Sequence, residues 1–319
     1  MIGTTDIRSC RSLRYGRGMA ERVTTQWRIG AVIPGLALGV LAAAVGLLPW
    51  LVTGARLPLQ NLWATQVLPE DMPIALLPLS QYYATRLLVL LIVGGALAGF
   101  ATRLVPRETT PLPVATGLLL GQAAATIQTA VVVVQGHALG APTANPRAAL
   151  YVYGMLTGAV VAVALAQAVF WLSSHTARGP AALGLGLAAV PAGSWGVDLV
   201  ATSTDALAAP DLALGVVARW LPAVIAGVAI GWCGIRPRRR MAVWAVVLAG
   251  LWLIPALLTA VQYGLGMRVL AGDLGEMARA SLDVFPLVVA QSWPPVLVAL
   301  VLGALVTLWR ARRERRLLA

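Results

Sequence analysis

The stretch IGAVIPGLALGVLAAAVGLLPWLVTGA carries no charged side chain from Ile29 to Ala55. A bilayer core about 30 Å thick is crossed by about 20 helical residues, so this stretch is long enough to span one. Lipid offers backbone groups no hydrogen-bond partner, which leaves helices and closed barrels as the only spanning structures. The apolar run is continuous rather than alternating, so it reads as a helix.

Similar runs recur along the chain. Of its 319 residues 59% are hydrophobic and 11% charged, whereas soluble domains carry about 25% charge. Length, charge-free runs and flanking arginines predict an all-α polytopic transmembrane bundle of eight spans, at roughly 29–53, 86–104, 112–136, 150–172, 181–200, 214–235, 242–264 and 286–309. Residues 1–28 read as a basic, disordered cytoplasmic tail without a cleavable signal, its true start at Met1 or Met19, and residues 310–319 as a second basic cytoplasmic tail.

Every basic residue is Arg, a usage that fits a GC-rich bacterial genome, and the net charge is +12. In a soluble chain that charge would point to nucleic acid. Here it flanks apolar spans, which implies anionic lipid head groups and topology instead. With both termini in the cytoplasm, 18 of the 24 Arg fall inside and eight of the 12 acidic residues outside. Dropping the fifth span would place the Arg236–Arg240 cluster outside, against the positive-inside bias. The expected location is the cytoplasmic (inner) membrane.

Gly-xxx-Gly recurs at Gly35/Gly39, Gly95/Gly99, Gly117/Gly121, Gly154/Gly158 and Gly227/Gly231. Without side chains such turns let helix backbones approach closely, so all five pairs are expected to be helix-packing sites. The second and sixth spans each begin at an outer Arg (Arg86, Arg219), carry one of these pairs and end in a basic cluster, which would suit two similar four-helix halves.

Polar groups inside the spans are few. Gln122, Thr126 and Thr129 share one face of the third span, and Gln128 and Gln135 another; Gln167, Thr259 and Gln262 lie elsewhere. They either bond between helices, the plainer account, or line a polar path. Asp198 is the single carboxylate within a predicted span, and a pair with Arg219 is geometrically reasonable. Pro191 to Asp198, with Ser194, is the best candidate for a broken helix, since proline frees a carbonyl inside a span. The binding candidates are therefore Gln122, Thr126, Gln128, Ser194, Asp198, Arg219 and Gln262.

Loop 54–85, with Trp63, Tyr82 and Tyr83, is expected in the membrane interface. Residues 273–285 are expected to form a short amphipathic helix with Leu274, Met277, Ala278, Leu282 and Phe285 on one face. His137 and His175 fall on opposite sides, and no Walker A, Rossmann, HExxH or EF-hand motif occurs, so no catalytic residue, cofactor or metal is expected. A permease-like or accessory transport subunit binding a small or lipidic molecule is the first functional expectation. A structural or assembly protein docking other membrane subunits is the alternative. A polyprenol-dependent membrane glycosyltransferase using Asp71 is a further one.

Overall fold

The computed structural model describes residues 32–105, 110–142, 145–203, 211–267 and 273–318; the N-terminal tail expected over residues 1–28 lies outside them. The described residues are all-helical in class, 81% helix, with no strand beyond an isolated bridge between Arg56 and Ile74. In chain order the helices are α1 (Val32–Gly46), α2 (Leu48–Val52), α3 (Ala84–Ala101), α4 (Pro111–Gly136), α5 (Pro146–Ser174), α6 (Arg178–Leu187), α7 (Ala189–Ser203), α8 (Asp211–Cys233), α9 (Arg239–Gly266), α10 (Leu274–Gln291) and α11 (Trp293–Leu318).

Six segments are long and apolar enough to cross a bilayer: Gln81–Ala101, Pro111–Gly136, Arg147–Ser174, Gly215–Cys233, Arg239–Gly266 and Trp293–Arg316. The fifth predicted span is a bent pair, α6 with α7, turning by 45°. Its break falls at Ala188, not within the glycine-rich segment that follows. Pro191 lacks the N–H that would bond the Leu187 carbonyl, so one helix ends there and Pro191 sits in the first turn of the next, where proline is tolerated. Pro49 acts likewise on the first predicted span, which steps at Leu47 between α1 and α2.

The last predicted span is displaced. Helix breaks at Ser292, ahead of Pro294 and Pro295, so α11 begins at Trp293 rather than at residue 286 and continues through the basic segment to Leu318. The amphipathic stretch before it is longer than a short interfacial helix. As α10 it packs antiparallel on α9, with Trp252 Nε1 donating to the Val289 carbonyl at 2.9 Å. Asp273 caps it by accepting from Glu276 N at 3.1 Å, and Arg279 pairs with Glu276 at 2.5 Å. The supposed single apolar face is split: Met277 and Phe285 are half-buried, while Leu274 and Leu282 point outward, 67% and 69% exposed.

Four of the five glycine pairs lie on faces in contact. On α1 Gly35 and Gly39 are buried, and a β-carbon at Gly39 would overlap the Val114 carbonyl of α4. From the α4 side Gly117 is equally close to Leu36, and a β-carbon at Gly121 would lie 2.8 Å from the Ala43 side chain. Gly95 and Gly99 seat α3 on Ala166, Phe170 and Ser173 of α5; Gly227 and Gly231 seat α8 on Ala299 and Val306 of α11. Gly154 and Gly158 do not follow. Among the described residues nothing lies within 4 Å of a β-carbon at either, so this pair is open where packing was expected.

At one end of the bundle arginines from the end of α3, the start of α9 and the last part of α11 bond the final carbonyls of α5 and α8. Arg103 donates to Ser173 O at 3.5 Å and to His175 O, Arg240 to Cys233 O at 2.8 Å, and Arg310 to Trp232 O. Cations there face the negative ends of helix dipoles and satisfy carbonyls left without an intrahelical donor. Much apolar surface faces outward, including Ile127 at 63% and Val160 at 62% exposed, far more than a water-facing surface carries.

Gly95→Leu is expected to lower the unfolding temperature in detergent, overpacking costing about 1–3 kcal/mol or more. Gly154→Leu is expected to leave it unchanged or slightly raised, since Leu is the better helix former. Thermal unfolding of the two purified variants checks the contrast.

Candidate functional site

Loop 55–80 is buried at its two ends, where Leu57, Met72, Ala75, Leu77 and Leu79 are each at most 2% exposed, while its middle from Leu59 to Asp71 lies largely at the surface. The buried irregular backbone needs partners for its N–H and C=O groups. Some lie within the loop, with Leu57 N donating to Pro73 O at 2.9 Å and Ala75 N to Ala55 O at 2.8 Å; others come from side chains. Gln128 bonds the loop twice, accepting from Leu76 N at 2.9 Å and donating to Ile74 O at 3.0 Å, and Thr129 accepts from Leu77 N at 2.9 Å. Trp50 Nε1 donates to Ala75 O at 2.8 Å, and Tyr151 OH donates to Gln60 Oε1 at 2.9 Å. Buried His137 faces the Asn61 carbonyl at 3.0 Å and the Val133 carbonyl at 2.8 Å.

Three of the sequence candidates thereby have structural partners away from any cavity described here. Gln128 clamps the loop. Gln122 is buried and donates to Leu91 O on α3 at 3.0 Å, while Thr126 bonds back to Gln122 O at 2.8 Å. Gln135, grouped with Gln128 on one helix face, is exposed instead.

The other four candidates come together. Ser194 and Asp198 of α7, Arg219 of α8 and Gln262 of α9 line one cavity of about 770 Å³ between α3, α7, α8, α9 and the start of α11. Arg86, the third residue of α3, completes its charged set. It is Arg86 and not Arg219 that pairs with Asp198: Nε lies 3.1 Å from Oδ2, though the N–H is not aligned for a hydrogen bond. The guanidinium also sits 5.5 Å from the Trp50 ring and 6.0 Å from Tyr83. Packing of α3 on α7 brings the two together, which the proximity of Asp198 and Arg219 in sequence does not reveal. Arg219 stacks beside Trp220 at 5.5 Å and has no ion pair among the described residues.

Proline shapes this cavity. Pro222, Pro255 and Pro295 line it, and so do Ala218, Leu251 and Gln291, each four residues earlier. Pro222 and Pro255 lie inside α8 and α9 and lack the N–H that would bond the Ala218 and Leu251 carbonyls, so two helices loosen at one place, while Pro295 stands in the first turn of α11, just past the break at Ser292. Gly193 makes room there, since a β-carbon would lie 2.5 Å from the Pro222 ring. Gln262 braces the wall: its Oε1 accepts from Thr85 N at 3.3 Å and Thr85 Oγ1 at 3.0 Å, and its Nε2 donates to Gln81 O at 3.2 Å. The cavity therefore offers guanidinium and hydroxyl donors, one carboxylate and loosened carbonyls on an apolar frame.

Glu70 and Asp71 are exposed on the turn Pro69–Asp71 and line neither this cavity nor the groove described below. His137 and His175 cap the C-termini of α4 and α5, at opposite ends of the bundle. Comparison with protein families, curated proteins and solved structures finds no match.

Gln128→Leu would leave Leu76 N and Ile74 O without their partners, at about 0.5–1.5 kcal/mol for each lost hydrogen bond. The variant is expected to unfold at lower temperature and to be cut faster by protease within residues 55–80. Gln135→Leu is expected to match the wild type in both measurements.

Proposed function

We propose that this chain is a permease-like or accessory subunit of the inner membrane that binds a small or lipidic molecule bearing an anionic group. The observation that carries the reading is the charge set of the α3–α7–α8–α9 cavity. Two guanidinium groups, Arg86 and Arg219, face one carboxylate, Asp198, among helices apolar enough to span a bilayer. Ionised groups within such helices cost about 2.5–3.5 kcal/mol when central and mark functional sites more often than structural ones. The Arg86–Asp198 pair offsets one charge of each sign and leaves Arg219 to meet an anion. Carbonyls loosened at Pro222 and Pro255 supply acceptors for the rest of the molecule, as broken helices do in transporters.

The topology proposed with it has eight spans and both termini in the cytoplasm. Counting α1 with α2 and the bent α6–α7 pair as one span each adds two to the six long helices. Two four-helix halves are supported by a shared contact: Gly95/Gly99 seat the second span on the fourth, and Gly227/Gly231 the sixth on the eighth. The apolar cores divide similarly, one running from Leu47 to Ala166 and another from Ala189 to Ala299. A scaffolding role or a glycosyltransferase using Asp71 is the alternative, and no feature of the cavity calls for either.

Octyl phosphate serves as the probe, titrated by calorimetry into protein held in zwitterionic nanodiscs. Wild type is expected to bind it, and Arg219→Gln to bind at least about tenfold more weakly, a loss of about 1.4 kcal/mol, with unchanged unfolding temperature. Equal binding by the variant, or none by wild type, would overturn the anion-binding reading. Loss of co-purifying proteins in Arg219→Gln without any change in probe binding would favour scaffolding.

A further inference from the structure

A second space lies on the other side of Thr85 and Leu258, which line both. It is a groove of about 1390 Å³ between α3, α5, α9 and α10. Its floor is the open glycine pair. Arg147, Tyr151, Gly154 and Gly158 follow one another along a single face of α5, and all four line the groove. The remaining wall is mostly apolar, with Leu87, Leu257, Val261 and Met277 among its members. Elsewhere in the bundle glycine pairs remove bulk so that two backbones can touch. Here the same spacing removes bulk and no described helix fills the space.

The groove also holds an unmet donor. Gln81 lines it, is only 6% exposed, and its side-chain Nε2 has no hydrogen-bond partner among the described residues. Its backbone is occupied: Gln81 N donates to Tyr151 OH at 3.4 Å and Gln81 O accepts from Gln262. A buried amide N–H₂ without a partner is costly, and a native structure calls for a reason to keep one. At the rim stand one cation, Arg147, and one carboxylate, Asp273, the latter also accepting from the N-terminal turn of α10.

We propose that this groove seats one acyl chain of a membrane glycerophospholipid whose head group carries both a phosphate and an ammonium. Arg147 meets the phosphate, Asp273 the ammonium, and Gln81 Nε2 donates to an ester carbonyl. The chain lies along Gly154 and Gly158. Length fits this occupant. From Arg147 to Gly158 is about 16 Å along the helix axis, close to half of the roughly 30 Å hydrocarbon core, which is one leaflet. A transmembrane helix of a partner would need the full thickness and would leave the Gln81 amide unmet.

The test uses full-length protein purified in mild detergent, incubated with phosphatidylethanolamine or with phosphatidylglycerol of the same chains, and examined by native mass spectrometry after detergent removal. Wild type is expected to retain one phosphatidylethanolamine at least fivefold more than phosphatidylglycerol. Gly158→Phe, which fills open space, is expected to lose that adduct with unchanged unfolding temperature. Asp273→Asn, on the exposed rim, removes the ammonium's partner while keeping a cap for α10; it is expected to erase the preference and serves as the second variant should Gly158→Phe fail to fold. Equal retention of the two lipids by wild type, or wild-type retention in a folded Gly158→Phe, overturns the proposal. Arg219→Gln is expected to leave lipid retention intact; loss of the adduct there and not in Gly158→Phe would assign the lipid to the neighbouring cavity and sink this inference alone.

Discussion

A peptide group shut away from water must find its hydrogen bond within the chain, and the arrangement of this molecule follows from how that requirement is met. Helices meet it internally. The buried, irregular ends of residues 55–80 do not, so neighbouring helices lend them side chains. Gln128 and Thr129 of α4 bond Ile74, Leu76 and Leu77, and Trp50 takes Ala75 between them. The chain thus fixed leads directly into Gln81 and the start of α3, where Gln262 accepts from Thr85. Arg86 is one residue further on. The polar stripe of α4 consequently acts at a distance, through the loop, on where the charged cavity can form.

The fold was legible wherever hydropathy alone decides. Five of the six long spans fall close to their predicted positions because a long uncharged run has few alternatives in lipid. Legibility ended where neighbours decide. The break at Ala188 lies ahead of the glycines that seemed to mark it, because Pro191 acts four residues upstream. Gln128 looked like a candidate for a polar path, since spacing shows that a helix has a polar face but not what that face meets. Asp198 seemed a partner for Arg219 by proximity in sequence; the rotation and depth at which α3 packs on α7 gave it to Arg86. Such long-range choices leave no local trace.

The glycine pairs make the same point with one motif. Removing side chains from adjacent turns creates a flat strip, and the strip's meaning depends on what comes to it. Gly39 and Gly117 face each other across two backbones, and Gly95 meets the Ala166 carbonyl. Gly154 and Gly158 meet nothing within 4 Å among the described residues. Their strip becomes width, not contact, and it lies directly below a phenol and a guanidinium on the same helix face. Ser194, Asp198, Arg219 and Gln262 could be nominated from the sequence because they are rare polar groups in apolar runs. Arg86 could not, because an arginine opening a span is the ordinary mark of topology.

The arginines divide by which end of a helix they serve. Arg103, Arg240 and Arg310 bond carbonyls at helix C-termini, where the backbone dipole favours a cation and a bound guanidinium settles without further help. Arg86 stands in the first turn of α3, where the same dipole opposes it. A cation held there needs a reason, and Asp198 and the ring of Trp50 are the compensation that the structure provides. Helix-interior prolines complete the case: Pro222 of α8 and Pro255 of α9 leave the Ala218 and Leu251 carbonyls without their intrahelical donors beside the space around this pair. A half-buried ion pair of this kind is at best a weak source of stability. Keeping two helices loosened beside a cation at the unfavourable end of a third makes physical sense for a chamber that is meant to be occupied.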